Sequence, residues 1–194
     1  MNGDSRRPTE HDIVPALLGA VERLCADTSP ESVRMQDIAE SAGLSTGVAY
    51  RYFDSKNALL GAALDRMAER LSAAATSGGD TNQAIASLWQ SLNDNPAFAR
   101  IVTWAILDGQ NVSSIMTKHP VARDVATVAA QDGAANPPMV SAMTVLVGIA
   151  GAVYGPTINR ALQRDANDRE VYDTAATMLA NWITPTAEEE SASS

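Results

Sequence analysis

The chain has 194 residues, of which 45% are hydrophobic, so it can form a packed core and is not wholly disordered. Its net charge of −9 argues against unspecific affinity for DNA. The single cysteine, Cys25, excludes an internal disulfide and is expected in the core. With no apolar leader near the N-terminus, we expect a cytoplasmic protein. Abundant alanine and scarce β-branched alternation predict an all-α fold.

The first third of the chain predicts a polar, disordered arm over residues 1–8 and then four helices. Pro15 is best tolerated in a first turn, which places the start of the first helix close to Asp12. The next two helices are short and meet at Gly43, where a left-handed backbone favours glycine. Ser45 is a good N-cap for the third helix, and Asp54 and Ser55 precede the fourth. The helices are expected at about 12–26, 34–43, 45–52 and 55–75.

Two short helices around a glycine turn are typical of a helix-turn-helix, whose second helix enters the DNA major groove. Twelve residues match the N-terminal motif of the TetR family of bacterial transcriptional repressors: Ile38, Ala39, Ala42, Gly43, Ser45, Gly47, Tyr50, Tyr52, Phe53, Ser55, Lys56 and Leu59. The chain therefore resembles that family over about residues 12–65. The resemblance implies a three-helix DNA-binding domain, residues 1–57, followed by a helical ligand-binding and dimerisation domain, residues 58–184.

The resemblance also implies which residues contact DNA. Thr46 can touch a thymine methyl group, and Gly47 lets the backbone approach the DNA. Tyrosine hydroxyls can donate to phosphates, although core packing is the alternative for both tyrosines. Lys56 lies at a helix start, which the helix dipole disfavours, so phosphate binding is a reason for its presence there. The expected DNA-binding residues are Arg34, Ser45, Thr46, Gly47, Tyr50, Arg51, Tyr52 and Lys56.

Arg34 stands where the family usually has a threonine cap. Arginine has no acceptor oxygen, so that cap is either lost or moved to Ser32, while the guanidinium can still bind a phosphate. Residues 1–57 hold six basic and nine acidic residues, a net charge of −3, so the basic residues must be concentrated on one face. This acidity supports the alternative of a helical ligand-binding or protein-interaction module without DNA binding.

The remainder of the chain predicts five further helices and a disordered tail over residues 185–194. No charged residue occurs over residues 133–159, a span of 27. A membrane-spanning helix is one interpretation, but the polar and proline residues in this span favour a soluble helix buried on nearly every side. The helices are expected at about 81–93, 96–108, 120–131, 138–163 and 168–183.

Large apolar side chains in the C-terminal part are expected to line a ligand pocket, with ordinary core packing as the alternative. Few cationic groups accompany them, so we expect a small apolar ligand. Apolar faces of the last two helices, Val145, Leu146, Ile149 and Val153 on one and Tyr172, Met178, Leu179 and Trp182 on the other, predict a homodimer. Glycines 148, 151 and 155 would let the two copies pack closely. The expected ligand-binding residues are Trp89, Trp104, Met116, Met139, Met143 and Tyr154.

The sequence offers no pattern typical of an enzyme. His11 and His119 lie far apart without nearby ligand clusters, so we expect neither a metal site nor a cofactor. The hypothesis is a TetR-type repressor that binds an inverted-repeat double-stranded DNA operator as a homodimer and is released by a ligand, without membrane attachment.

Overall fold

The structure, a computed structural model, describes residues 10–77, 79–109, 120–163, 174, 177 and 178. In this part of the chain the secondary structure is entirely helical, as the sequence predicts. The helices are α1 Glu10–Asp27, α2 Met35–Ser41, α3 Thr46–Tyr52, α4 Lys56–Thr76, α5 Thr81–Asp94, α6 Ala97–Leu107, α7 Val121–Gln131 and α8 Pro137–Ala161. The expected arm, most of the helix at 168–183, the tail at 185–194 and Met116 lie outside the described residues.

Side-chain caps explain where four of these eight helices begin. Ser45, Ser55, Asp80 and Asn136 each accept a hydrogen bond from a free backbone N–H in the first turn. Helix α1 begins at Glu10, two residues before the predicted start, so Pro15 lies in its second turn.

At the start of α2 the side-chain cap is lost, the first of the two alternatives that the sequence left open. The backbone N–H of Arg34 donates to the carboxylate of Asp37 at 2.8 Å. The carboxylate of Asp37 therefore pairs the N–H of Arg34 itself, whereas no described side chain accepts from the N–H groups of the first turn. The carboxylate in the first turn also favours the helix dipole.

One apolar core runs through both parts of the molecule. Its buried side chains include Leu17 and Val21 of α1, Leu60 of α4 and Ile101 of α6. Helix α1 packs against α2, α4 and α6. The N-terminal helices therefore rest directly on the C-terminal ones, without an intervening linker.

A second apolar cluster lies between α5, α7 and α8. It contains Ile85, Trp89, Ala129 and Val140. The indole N–H of Trp89 donates to the backbone carbonyl of Thr144 at 2.8 Å. A Cβ on Gly148 would lie 2.8 Å from Cδ1 of both Trp89 and Leu92. Gly148 thus serves the packing of α5 on α8 within one chain, not the contact between two copies that the sequence suggested.

Helix α8 carries the uncharged span, and the prediction that it is buried on nearly every side is wrong. Only 28% of its most apolar 18 residues is buried. Ile149 and Val153, expected at the dimer interface, pack instead against the chain's own core. By length and composition α8 could cross a membrane, a property that it shares with core helices of soluble proteins. Its exposed apolar side chains are Met139, Leu146, Val147, Tyr154 and Ile158.

Candidate nucleic-acid interface

Helix α3 presents one buried and one open face. Ala49 is fully buried and anchors the helix on the core, where Tyr52 and Phe53 also pack. On the opposite side Tyr50 is 53% exposed, and Gly47 and Arg51 are exposed beside it. Because residues four apart share a helix face, Thr46 and Tyr50 form one row and Gly47 and Arg51 a neighbouring one. The open face thus combines a methyl and hydroxyl group, a phenol and a guanidinium.

The beginning of α3 is open to solvent. Ser45 is exposed, and its hydroxyl accepts from the N–H of Val48 at 3.4 Å. A Cβ on Gly47 would meet no atom within 4 Å, so a second molecule can approach this backbone closely. Tyr52, by contrast, is half-buried, which leaves it less able to contact a partner than Tyr50.

Some basic residues of the N-terminal helices form hydrogen bonds within the chain, and others have no partner among the described residues. Arg23 donates to the Ser41 carbonyl at 2.9 Å and so holds the end of α2. Arg34 and Arg51 are exposed, and their guanidinium groups have no hydrogen-bond or ion-pair partner among the described residues. These two cations are free to bind an anion such as a phosphate.

Lys56 has a role that its sequence position did not reveal. Its Nζ donates to the backbone carbonyls of Pro30 and Glu31 at 3.0 and 3.1 Å. It also lies 5.7 Å from the ring centroid of Trp104. Two of its three N–H donors are therefore used within the chain. This bonding is a structural reason for a lysine at the start of α4, and a phosphate contact stays a prediction.

The residues expected to bind a ligand do not converge. Trp89 and Met143 meet in the second cluster, whereas Trp104 is half-buried beside Lys56. Met139 and Tyr154 are 49% and 60% exposed on α8. A separate cleft of about 300 Å³ includes none of these residues. It is polar, and two of its carboxylates already accept hydrogen bonds, Asp124 from Ser72 and Asp132 from the N–H of Thr81.

The sequence analysis missed a group of charged residues around Glu22. Its carboxylate accepts hydrogen bonds from Arg66, Arg70 and Asn95, which lie 44 to 73 residues further along the chain. Burial raises the pKa of this carboxyl, but the hydrogen bonds and charges of Arg70 and Arg66 outweigh that effect and hold the pKa below 4.5. A helix pattern alone carries no signal for contacts this distant.

Comparison with known proteins shows which protein family the N-terminal helices are similar to. Residues 17–63 match the family model "Bacterial regulatory proteins, tetR family". A 55-residue segment is 46% identical to HTH-type transcriptional regulator Rv1255c of Mycobacterium tuberculosis, covering 28% of this chain and 27% of that protein. HTH-type transcriptional repressor KstR of Mycolicibacterium smegmatis is 33% identical over 99 residues, 47% of this chain and 48% of its own length. The matches thus span between about a quarter and a half of these relatives.

The likeness to solved structures covers most of the chain. A TetR family transcription regulator from Marinobacter aquaeolei superposes with a TM-score of 0.67 at 18% identity, covering 90% of this chain and 96% of the other. The fatty acid degradation regulator FadR of Bacillus halodurans gives 0.62 at 12% identity, covering 92% and 96%. At such identities the likeness concerns the fold.

Proposed function

We propose that the chain, whose residues 17–63 match the model of the TetR family of bacterial regulatory proteins, is a cytoplasmic, one-component transcriptional repressor of that type and not an enzyme. It would bind an inverted-repeat operator as a homodimer and leave it when a small apolar ligand binds. Residues 1–57 would contact DNA, and residues 58–184 would bind the ligand and dimerise. The relatives named as transcriptional regulators and repressors support this proposal.

The observation that carries the proposal is the open face of α3. Gly47, Tyr50 and Arg51 lie exposed there together, Thr46 lies half-buried at the edge of that face, and Ala49 is buried against the core. Exposed aromatic and basic groups without internal partners have a clear use in contacts with phosphates and base edges. Arg34, at the start of α2, would add a phosphate contact.

The proposal is tested by titrating the protein into labelled DNA from upstream of its own gene at several salt concentrations. Arg51→Ala should weaken binding to all sequences and reduce the salt slope by about 1, because one phosphate contact is lost. Arg123→Ala is the matched control, since it removes the same charge from an exposed position on α7. Equal effects of the two variants would refute a specific role for α3.

Thr46→Ala separates base recognition from phosphate binding. It should relax the preference at one base position by about 1–3 kcal/mol and leave binding to unrelated DNA unchanged. Tyr50→Phe removes only a hydroxyl and should weaken binding to every sequence alike. A Thr46→Ala variant with unaltered preference would show that this side chain does not read a base.

A protein-interaction or ligand-binding module without DNA binding is the alternative. It is favoured by the net charge of −3 over residues 1–57 and by the internal bonding of Arg23 and Lys56. The same titration decides between the two, because this module would show no sequence-dependent binding at low salt.

Among the described residues expected to bind the ligand, only Trp89 and Met143 meet, in the closely packed cluster between α5, α7 and α8. An apolar ligand that binds the folded state selectively should raise the melting temperature and release the operator. Hydrophobic compounds can be screened for both effects together. A Trp104→Phe variant, which keeps Trp89, should retain the response if the ligand binds beside Trp89.

A further inference from the structure

Glu22 is the acceptor at the centre of a hydrogen-bond network. Its Oε1 accepts from Nε and Nη2 of Arg66 at 3.0 and 2.6 Å, so two donors of one guanidinium converge on a single oxygen. Its Oε2 accepts from Nη2 of Arg70 at 2.7 Å and from Nδ2 of Asn95 at 3.0 Å. The Glu22 side chain is only 14% exposed, so water competes weakly for these bonds.

The network joins two parts of the molecule that the proposed function assigns different tasks. Glu22 belongs to α1, which packs on α2, and α2 in turn packs on α3. Its donors belong to α4 and to the turn after α5. Arg66 also donates through Nη1 to the carbonyl of Pro15, nearly two turns earlier in α1, at 3.3 Å. A single arginine therefore contacts α1 at two points along its length.

The directions of these bonds matter because the buried core that α1 shares with the C-terminal helices is apolar. Leu17 and Val21 pack in the shared core, and apolar packing is not directional, so it permits small rotations between helices. Hydrogen bonds are directional, so the bonds on both oxygens of Glu22 restrict the angle of the carboxylate as well as its distance. At the far end of α1, the bonds from Lys56 to Pro30 and Glu31 hold the following loop.

We propose that Glu22 is a positioning residue that sets the orientation of α1–α3 on α4 and α5 and thereby transmits changes in the C-terminal helices to α3. The expected effect on DNA binding rests on the proposed function. The hydrogen-bond network of Glu22 with Arg66, Arg70 and Asn95, which we call the joint, does not. When the bonds of the joint are weakened, α3 also adopts orientations that do not fit the operator. Only molecules with the fitting orientation bind, so the apparent affinity for the operator falls.

The test compares Glu22→Gln with Val140→Ala, a core truncation in the second cluster, which does not include the N-terminal helices. The glutamine keeps the size of the side chain but turns one acceptor into a donor that faces other donors. At equal loss of melting temperature, Glu22→Gln should weaken operator binding about fivefold, whereas Val140→Ala should leave it unchanged. Arg70→Gln, at a half-exposed position, provides a milder variant that should fold normally and shift affinity in the same direction.

Amide hydrogen exchange on the DNA-free protein gives an independent measurement. Glu22→Gln should accelerate exchange selectively in α1–α3, and Val140→Ala should not. If the unmodified chain binds no operator but this selective acceleration occurs, the joint stands and the proposed function fails. If Glu22→Gln and Val140→Ala show the same exchange pattern at equal destabilisation, the positioning role is overturned, whether or not the chain binds DNA.

Discussion

At the scale of single residues, the surroundings of Glu22 and of Cys25 determine whether each side chain carries a charge. Glu22 keeps its charge because two arginines compensate for burial, and the pKa of its carboxyl is lowered. Cys25 is fully buried, and burial raises the pKa of its thiol to about 11, although the charges of Lys56 and Arg100 act in the opposite direction. One group is therefore held ionised and the other neutral.

The lowered pKa of Glu22 predicts a loss of stability in acid. Because the folded-state pKa lies below the ordinary value of 4.5, the carboxylate stabilises the fold above that pH. The contribution disappears as the pH falls from 4.5 through the folded-state pKa. Urea unfolding between about pH 6 and about pH 3.5 should show a smaller loss for Glu22→Gln than for the unmodified chain. Parallel curves for the two proteins would contradict the role of this carboxylate.

The raised pKa of Cys25 predicts an unreactive thiol. Only the thiolate attacks alkylating agents, and a buried thiol with a pKa of about 11 yields almost none near neutral pH. Iodoacetamide should therefore modify the native protein far more slowly than the same protein in urea, as measured by mass spectrometry. Equal rates in the two conditions would show that the α1 core opens readily.

At the scale of helices, the contact between α5 and α8 depends on one missing side chain. Gly148 allows the indole of Trp89 to reach the Thr144 carbonyl, and the Thr144 hydroxyl donates to the carbonyl of Val140. The buried polar atoms of this contact are thereby paired, which a rigid core requires. The second cluster thus combines apolar packing with a directional bond.

Gly148→Ala should destabilise the protein by about 1–3 kcal/mol, because the new methyl group would force Trp89 and Leu92 to move. Gly61→Ala is the matched control, since a Cβ there meets no atom within 4 Å. That control lies inside α4 and should be stabilising by about 0.5–1 kcal/mol, as expected for glycine in a helix interior. Urea unfolding followed by circular dichroism measures both. Similar values for the two variants would contradict the packing of α5 on α8.

At the scale of the whole molecule, α8 leaves an apolar surface uncovered. Leu146, Tyr154 and Ile158 are between 54% and 65% exposed, while Ala152 on another side of the helix is buried. An apolar row of this length on one helix is costly in water and is typical of an interface. A second copy packed on α8 would cover it, in agreement with the dimer that we propose.

Sedimentation at micromolar concentration should therefore show a dimer. Leu146→Asp places a charge on this surface and should yield a folded monomer, because Leu146 is 65% exposed within one chain. The same substitution at Leu107, which is 82% exposed on α6, should leave the dimer intact. A monomeric unmodified chain would refute both the interface and the two-half-site operator. Flotation with lipid vesicles would instead indicate that α8 binds a membrane.

The sequence by itself determined the helices, their caps and the helix-turn-helix, because these depend on residues close together in the chain. Ser45 and Ser55 cap their helices where local pattern predicts, and most helix bounds agree within about two residues. The family resemblance was likewise carried by one continuous segment, and the comparisons confirm it. The open side of α3 follows from the same local periodicity.

The tertiary structure alone decided what each apolar or charged side chain faces. Periodicity marks Ile149 and Leu146 equally as apolar, but only the packing of other helices on α8 covers part of the first and leaves the second exposed. Lys56 bonds to carbonyls 25 and 26 residues away, and Glu22 to donors up to 73 residues away. Such partners depend on how helices cross in space, which no local pattern of residues specifies.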